Sequence, residues 1–178
     1  MVAGIGGSAV TPCAAGAVCP WACRLWVWTL WACWSWGDLR QSVLFGPVDR
    51  ELQHGAFESF SAFNRVNDKI EWRRDASGKP FAAILRWFIE NPGPDGSPSP
   101  ESTGQVLVIS RVATPDYPGS CFVGMVDAKA NANANLLARQ VADQVAAGFD
   151  CGMQSPLWYG ARGQLTSDRT FSWPEGYV

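Results

Sequence analysis

Charge is what the first quarter of this 178-residue chain lacks: residues 1–48 carry only Arg24, Asp38 and Arg40, against twelve basic and fifteen acidic residues in the remainder. Basic runs are short everywhere, none longer than Arg73-Arg74, and the formal net charge is −2. Phosphate backbones are held by clustered Lys and Arg, so this composition argues against a nucleic-acid surface. Histidine is reduced to one residue, His54. A histidine general base would have to be that residue, and no G-x-S-x-G elbow accompanies it, so "LQHGAF" reads as a surface segment. Neither G-x-x-x-x-G-K-[ST] nor G-x-G-x-x-G occurs, which removes the usual phosphate cradles and leaves no cofactor expected. Pro20 and Arg24 interrupt the apolar stretch from Ala14 to Trp36. A membrane-spanning helix needs an unbroken run of roughly 20 residues, so a span here is disfavoured.

What the poorly charged segment does hold is tryptophan and cysteine. "LWVWTLWACWSW", Leu25 to Trp36, carries five tryptophans in twelve residues, and indole rings favour membrane interfaces, where the ring is apolar and the N–H stays wet. Three readings of residues 1–48 stand side by side: a membrane-contacting anchor, a signal peptide with Arg24 as its positive end, and a start assigned too far upstream in a G/C-rich gene. Cys13, Cys19, Cys23 and Cys33 lack both a CxxC pair and a nearby His, so no zinc site is expected.

From Asp49 to Val178 the pattern becomes that of one α+β domain, which is as much as this length suggests. Phe57, Phe60 and Phe63 recur at helical spacing and predict a short helix with core aromatics. "KIEWRR" reads as a strand with Ile70 and Trp72 on one face, "DASGK" as a turn, and "FAAILRWFIE" as the returning strand. Residues 91–104, "NPGPDGSPSPESTG", read as a flexible solvated excursion. "QVLVISRVA" and "CFVGMVD" form a second predicted hairpin around "TPDYPGS". A helix follows, starting near the capping asparagines Asn131, Asn133 and Asn135 and ending by Ala147, with Gly148 as a left-handed stop. Its apolar stripe is Ala134, Leu137, Ala138, Val141, Ala142 and Val145. The predicted architecture is a four-stranded antiparallel sheet of two hairpins with this helix packed on one face, and a tail from Gly152 draped over it.

Cys121 and Cys151 bracket that strand and helix, both at one end of the pair, close enough in principle to bridge. Spacing alone leaves a disulfide and two buried thiols both open. The segments "GQVLVISRVA", "VDAKANANANLLARQVAD" and "FDCG", with Glu71, Trp72, Arg73, Gly78, Lys79 and Pro80 upstream, resemble a group of small exported bacterial proteins of unknown function. The resemblance spans about residues 67–165. It implies a Cys121–Cys151 disulfide and a periplasmic or secreted location, and it brings no activity with it.

Candidates for chemistry are sparse. "DAKANANAN" offers oxygens at Asp127, Asn131, Asn133 and Asn135, yet an EF-hand loop would need Gly at Ala132 and Glu at Ala138, so no metal is expected. Asp116, Asp127 and Asp150 could supply a carboxylate pair, and nothing selects which two. Arg139 and Asp143 stand i, i+4 on the helix and read as an exposed ion pair or a polar docking face. Trp87 and Phe88 point to opposite faces of their strand. Arg139, Asp143 and Trp87 are therefore the candidate partner surface. The expected function is a non-enzymatic, exported or envelope-associated module binding an envelope component or a protein. The competing expectation is a small hydrolase or ligand-binding enzyme that uses scattered carboxylates, Tyr117 or His54.

Overall fold

The computed structural model describes residues 2–4, 21–26, 30–36 and 39–176, the first three stretches as backbone strands. In chain order the elements are β1 (Val2–Gly4), β2 (Trp21–Trp26), β3 (Leu30–Trp36), β4 (Gln41–Phe45), α1 (Arg50–Gly55), β5 (Phe57–Phe60), β6 (Asn64–Arg74), β7 (Pro80–Ile89), β8 (Gly104–Arg111), β9 (Phe122–Asp127), α2 (Ala134–Val145), a 3-10 turn (Ala146–Gly148), β10 (Leu157–Trp158) and β11 (Arg169–Ser172). The fold is α+β. Its main sheet runs β1-β6-β7-β8-β9-β10, beside a three-stranded sheet β2-β3-β4 and a two-stranded sheet β11-β5.

The two predicted hairpins form its centre. β6 through β9 are antiparallel neighbours in sequence order, and the first turn is closed by Asp75, whose carboxylate accepts from the amides of Ser77 and Lys79 at 2.8 and 2.9 Å. Gly78, at φ 84°, supplies the left-handed residue that turn requires. The sheet is wider than four strands because two short segments were invisible to pattern reading. β1 pairs antiparallel with β6 and β10 pairs parallel with β9; runs of two or three residues carry no periodicity. Of the segment Leu25 to Trp36, Leu25 and Trp26 lie in β2 and Leu30–Trp36 form β3, residues 27–29 lying outside the described residues; β2 and β3 pair with each other while β3 also pairs with β4. Cys13 and Cys19 lie outside the described residues, and for Cys23 and Cys33 the description stops at the backbone.

Strand alternation divides the core in two. Ala83, Leu85, Trp87 and Ile89 of β7 join Val106, Val108, Ile70 and Trp72 on one face, while Ala82, Ile84, Leu107 and Ile109 face the helix. On the helix side, Ala134, Ala138, Val141 and Ala142 are buried as the stripe predicted. Three of those four are alanines, so the helix lies close to the sheet. Its N-terminus differs from expectation. Asn133 is the N-cap residue but makes no side-chain cap bond, and Asn131 instead donates to the carbonyls of Asp127 and Ala161, both at 2.8 Å. Asn131 fastens the tail rather than the helix. At the other end Gly148 has no positive φ; the helix tightens into the 3-10 turn and Phe149, 5% exposed, folds into the core.

The opposite face is covered by β4 and β5. Val43, Phe45 and Phe60 pack on it, so the packed domain extends upstream of Asp49. β5 replaces the predicted short helix: Phe57 and Phe60 lie on a strand, and Phe63, 50% exposed, is outside the core. Residues Glu58 and Ser59 between the phenylalanines are buried polar groups with partners in β4, β9 and β11, and those tertiary bonds override the helical spacing. The 91–104 excursion is held by its own polar groups, with Ser102 Oγ donating to Asn91 O at 2.9 Å and Thr103 Oγ1 to Ser99 O at 2.6 Å. The tail is likewise built in through β10 and β11.

Candidate binding groove

A bulge in β9 creates the site. Ile109 pairs with Gly124 and Ser110 with Phe122, so Val123 is the extra residue, and it joins the helix-side core. Gly124 beside it leaves room for an aromatic: a Cβ there would sit 2.7 Å from the Tyr159 ring and 3.1 Å from Val141. Tyr159 is held in place by its own amide, which donates to Met125 O at 2.8 Å. Between the strand edge and the end of α2 this leaves an open groove of about 350 Å³ lined by Val123, Val145, Phe149, Gln154, Ser155, Leu157 and Tyr159. Met153 and Leu157, 74% and 61% exposed, add apolar surface on the same segment.

The disulfide stands behind the groove's outer wall. Cys121 and Cys151 are joined, with Sγ–Sγ 2.05 Å and Cα–Cα 5.7 Å, and both are buried. Around the bridge, Tyr117 Oη donates to Asp150 Oδ1 at 3.1 Å and accepts from Cys151 N at 2.7 Å. The Arg111 guanidinium lies 3.4 Å from the Tyr117 ring centroid and donates to Phe149 O. Burial pushes the Tyr117 phenol above its usual pKa, which keeps it a neutral donor at physiological pH. Downstream, Asp150 N donates to Gln154 Oε1 and Gln154 N returns to Asp150 O, both at 2.9 Å. That pair folds the chain into the wall.

The other predicted residues lie elsewhere. Trp87 is 1% exposed, edge-on to Phe60 and Phe122 at 5.6 and 5.5 Å between centroids, so it is a core residue and offers no partner surface. Its neighbour Phe88 is the half-exposed member of the pair, under Arg65 at 4.1 Å. Arg139 and Asp143 are exposed but do not bond each other. Arg139 grips Glu71 at 2.7 and 3.0 Å and Arg73 grips Asp143 at 2.8 and 2.7 Å, so both helix residues tie α2 to β6. His54 is exposed in the last turn of α1. Asp127 is buried with both oxygens occupied: Oδ1 accepts from Lys129 and Ala130 amides and Oδ2 from Gly163 N at 2.8 Å. It organises the loop before α2 and the tail. Among the described residues no group of three His, Cys, Asp or Glu could hold a metal.

Pattern reading missed Glu58 and Arg169 altogether. Glu58, 1% exposed, accepts from Arg169 Nε at 2.5 Å and from Phe122 N at 2.7 Å. Burial drives its pKa above the usual carboxylate value, against the lowering pull of Arg169. The two residues are far apart in sequence, and the only local hint was the phenylalanines flanking Glu58. The chain matches no protein-family model, no curated protein and no solved structure.

Proposed function

We propose that this chain is an exported or envelope-associated binding domain whose groove takes an apolar side chain from a protein partner. The groove carries the reading. Its walls are Val123, Val145, Phe149, Leu157 and the Tyr159 ring, its polar groups are Gln154 and Ser155 at the rim, and no carboxylate lines it. About 350 Å³ is near the lower end of ligand pockets, which run from about 300 to 1,000 Å³. Aromatic anchors seated in well-packed pockets carry much of the binding energy of protein interfaces. The export half of the reading rests on the disulfide, since such bonds persist in oxidising compartments, together with the resemblance described above. No helix among the described residues is long and apolar enough to cross a membrane. The hydrolase alternative needs titratable groups converging on a cleft. Tyr117 and Asp150 do meet, but beside the disulfide and outside the groove lining.

The test is site-specific photocrosslinking in fractionated cells, with the crosslinker at Ser155 on the rim and at Gly78 on the remote turn as control. A discrete protein adduct from Ser155 alone, in the extracytoplasmic fraction and lost on adding Val145→Arg, is the expected outcome. Identical adducts from both positions, or none from Ser155, would refute it.

A further inference from the structure

We infer that the Cys121–Cys151 disulfide is a redox gate on this groove, so that a dithiol reductant opens the outer wall while the sheet stays folded. The inference rests on the groove being a binding site, and it comes from how the wall is anchored. Phe149, Gln154, Ser155 and Leu157 supply most of the lining, all within six residues of Cys151. On the downstream side this stretch is fixed by β10, where Leu157 and Trp158 pair with Gly124 and Met125. On the upstream side Phe149 is seated in the helix-side core, and beyond it the ties converge on one spot: the disulfide itself, Cys151 N to Tyr117 Oη, and Arg111 to Phe149 O. Arg111 N in turn donates to Cys121 O at 2.9 Å. Between those anchors the chain is nearly free of core contact. Met153, Gln154 and Ser155 are exposed, and the Gln154 bonds go back to Asp150 rather than to the sheet. Segments with few buried contacts are the ones that open locally. The sheet, by contrast, keeps β6 to β9 and the α2 stripe without help from the sulfurs.

The redox step is an ordinary exchange. One thiolate of the reductant attacks a sulfur of the bridge, releasing the other cysteine as a thiol and forming a mixed disulfide. The second thiol of the reductant displaces it, leaving Cys121 and Cys151 as two thiols and the reductant as its own disulfide. Both sulfurs are buried, at 3% and 6% residue exposure, so attack proceeds through a transient opening of residues 152–156 beside Cys151, the motion the reduced state then makes permanent.

Backbone order parameters measured on the full chain, oxidised and after dithiothreitol, test the gate without any ligand. Rigid backbone has values about 0.85 and flexible chain falls below about 0.6. Gating predicts that residues 152–156 drop from the first range to the second while β7 and β8 stay in the first. If residues 152–156 remain rigid the bridge is only a staple, and if β7 and β8 loosen as well the bridge holds the whole fold; either result overturns the gate. The Cys121→Ser, Cys151→Ser double variant repeats the measurement without reductant. A parallel titration with indole, read on the methyl signals of Val123 and Val145, separates the two claims. Saturable shifts in the oxidised protein that weaken at least tenfold on reduction support both. Failure of the oxidised protein to take up indole refutes the groove reading, while the order parameters still decide the gate.

Discussion

The two faces of the main sheet are closed by opposite means. The helix face is covered mainly by a contiguous stretch, residues 121–151, in which α2 packs on the strands immediately before it and a covalent bond ties the two ends, with Tyr159 and Trp173 of the tail packed against that core. The other face is covered by β4 and β5 from upstream and is reached by β11 from the far end of the chain, joined through an aromatic cluster and one buried ion pair. Local closure needs little chain entropy and tolerates small alanine contacts. Closure between distant segments must overcome a larger loop entropy, and it is there that the largest side chains and the buried charge pair occur.

The face without a crosslink should therefore depend most on single side chains. Trp87→Ala empties the centre of the aromatic cluster, and a buried Trp reduced to Ala costs about 5 kcal/mol at the upper end of its range, with the lost edge-to-face pairs to Phe60 and Phe122 adding to it. Chemical denaturation should show this as the largest loss of any single variant on either face. A loss no bigger than that of Ala138→Gly on the helix face would break the comparison.

The ion pair is next. Arg169→Met leaves Glu58 buried without its cation, and breaking such a pair costs about 3 to 5 kcal/mol. The pH dependence has a definite sign. Glu58 already has a folded pKa above its unfolded one because of burial, so its favourable contribution is complete below the ordinary carboxylate pKa and is lost as pH rises through the folded value. Removing Arg169 deletes the interaction that lowers that pKa and pushes it further up. The difference between wild type and Arg169→Met should therefore be small near pH 4 and widen toward neutrality. Adding Glu58→Gln, which keeps an oxygen for the Phe122 amide, should recover most of the loss at neutral pH. A penalty that is flat with pH would mean Arg169 acts through packing on Phe171, which its guanidinium covers at 3.8 Å.

On the helix face the largest single effect should come from the bridge. Closing a loop of 30 residues contributes about 3.5 kcal/mol through the unfolded chain, so Cys121→Ser and Cys151→Ser should lower the unfolding midpoint equally under oxidising conditions and not at all in reductant. Equal stability of the wild type with and without reductant would refute this.

The same division explains which parts of the molecule could be read from residues alone. α2, its stripe, β6 to β9 and the cysteine bracket are local patterns, and each was anticipated within a few residues. The covering of the Trp87 face was not, because Phe57 and Phe60 carry one spacing and the polar bonds of Glu58 and Ser59 decide the outcome. The groove had no signature either. It depends on Val123 being one residue too many for its strand and on Tyr159 resting over Gly124, far from it in sequence. Neither fact is a periodicity.

The exposed ion pairs make the sharpest remaining test, because pattern reading joined the wrong partners. Arg139 and Asp143 share a helix face at a spacing suited to each other, yet each reaches across to β6, and Arg73 stands 3.7 Å from Glu71 as well as gripping Asp143. A bidentate pair between elements is better oriented than a single pair within a helix, and that geometry draws the two charges apart. Both pairs remain open to water, where such contacts contribute little and salt screens them. Arg139→Ala should consequently give the smallest change among these variants, close to the scatter of replicate melts and vanishing in high salt. In a double-mutant cycle Arg139 should couple to Glu71 and not to Asp143. Coupling to Asp143 would restore the intrahelical pair, and a salt-resistant loss would mean that the arginine stem matters more than its charge.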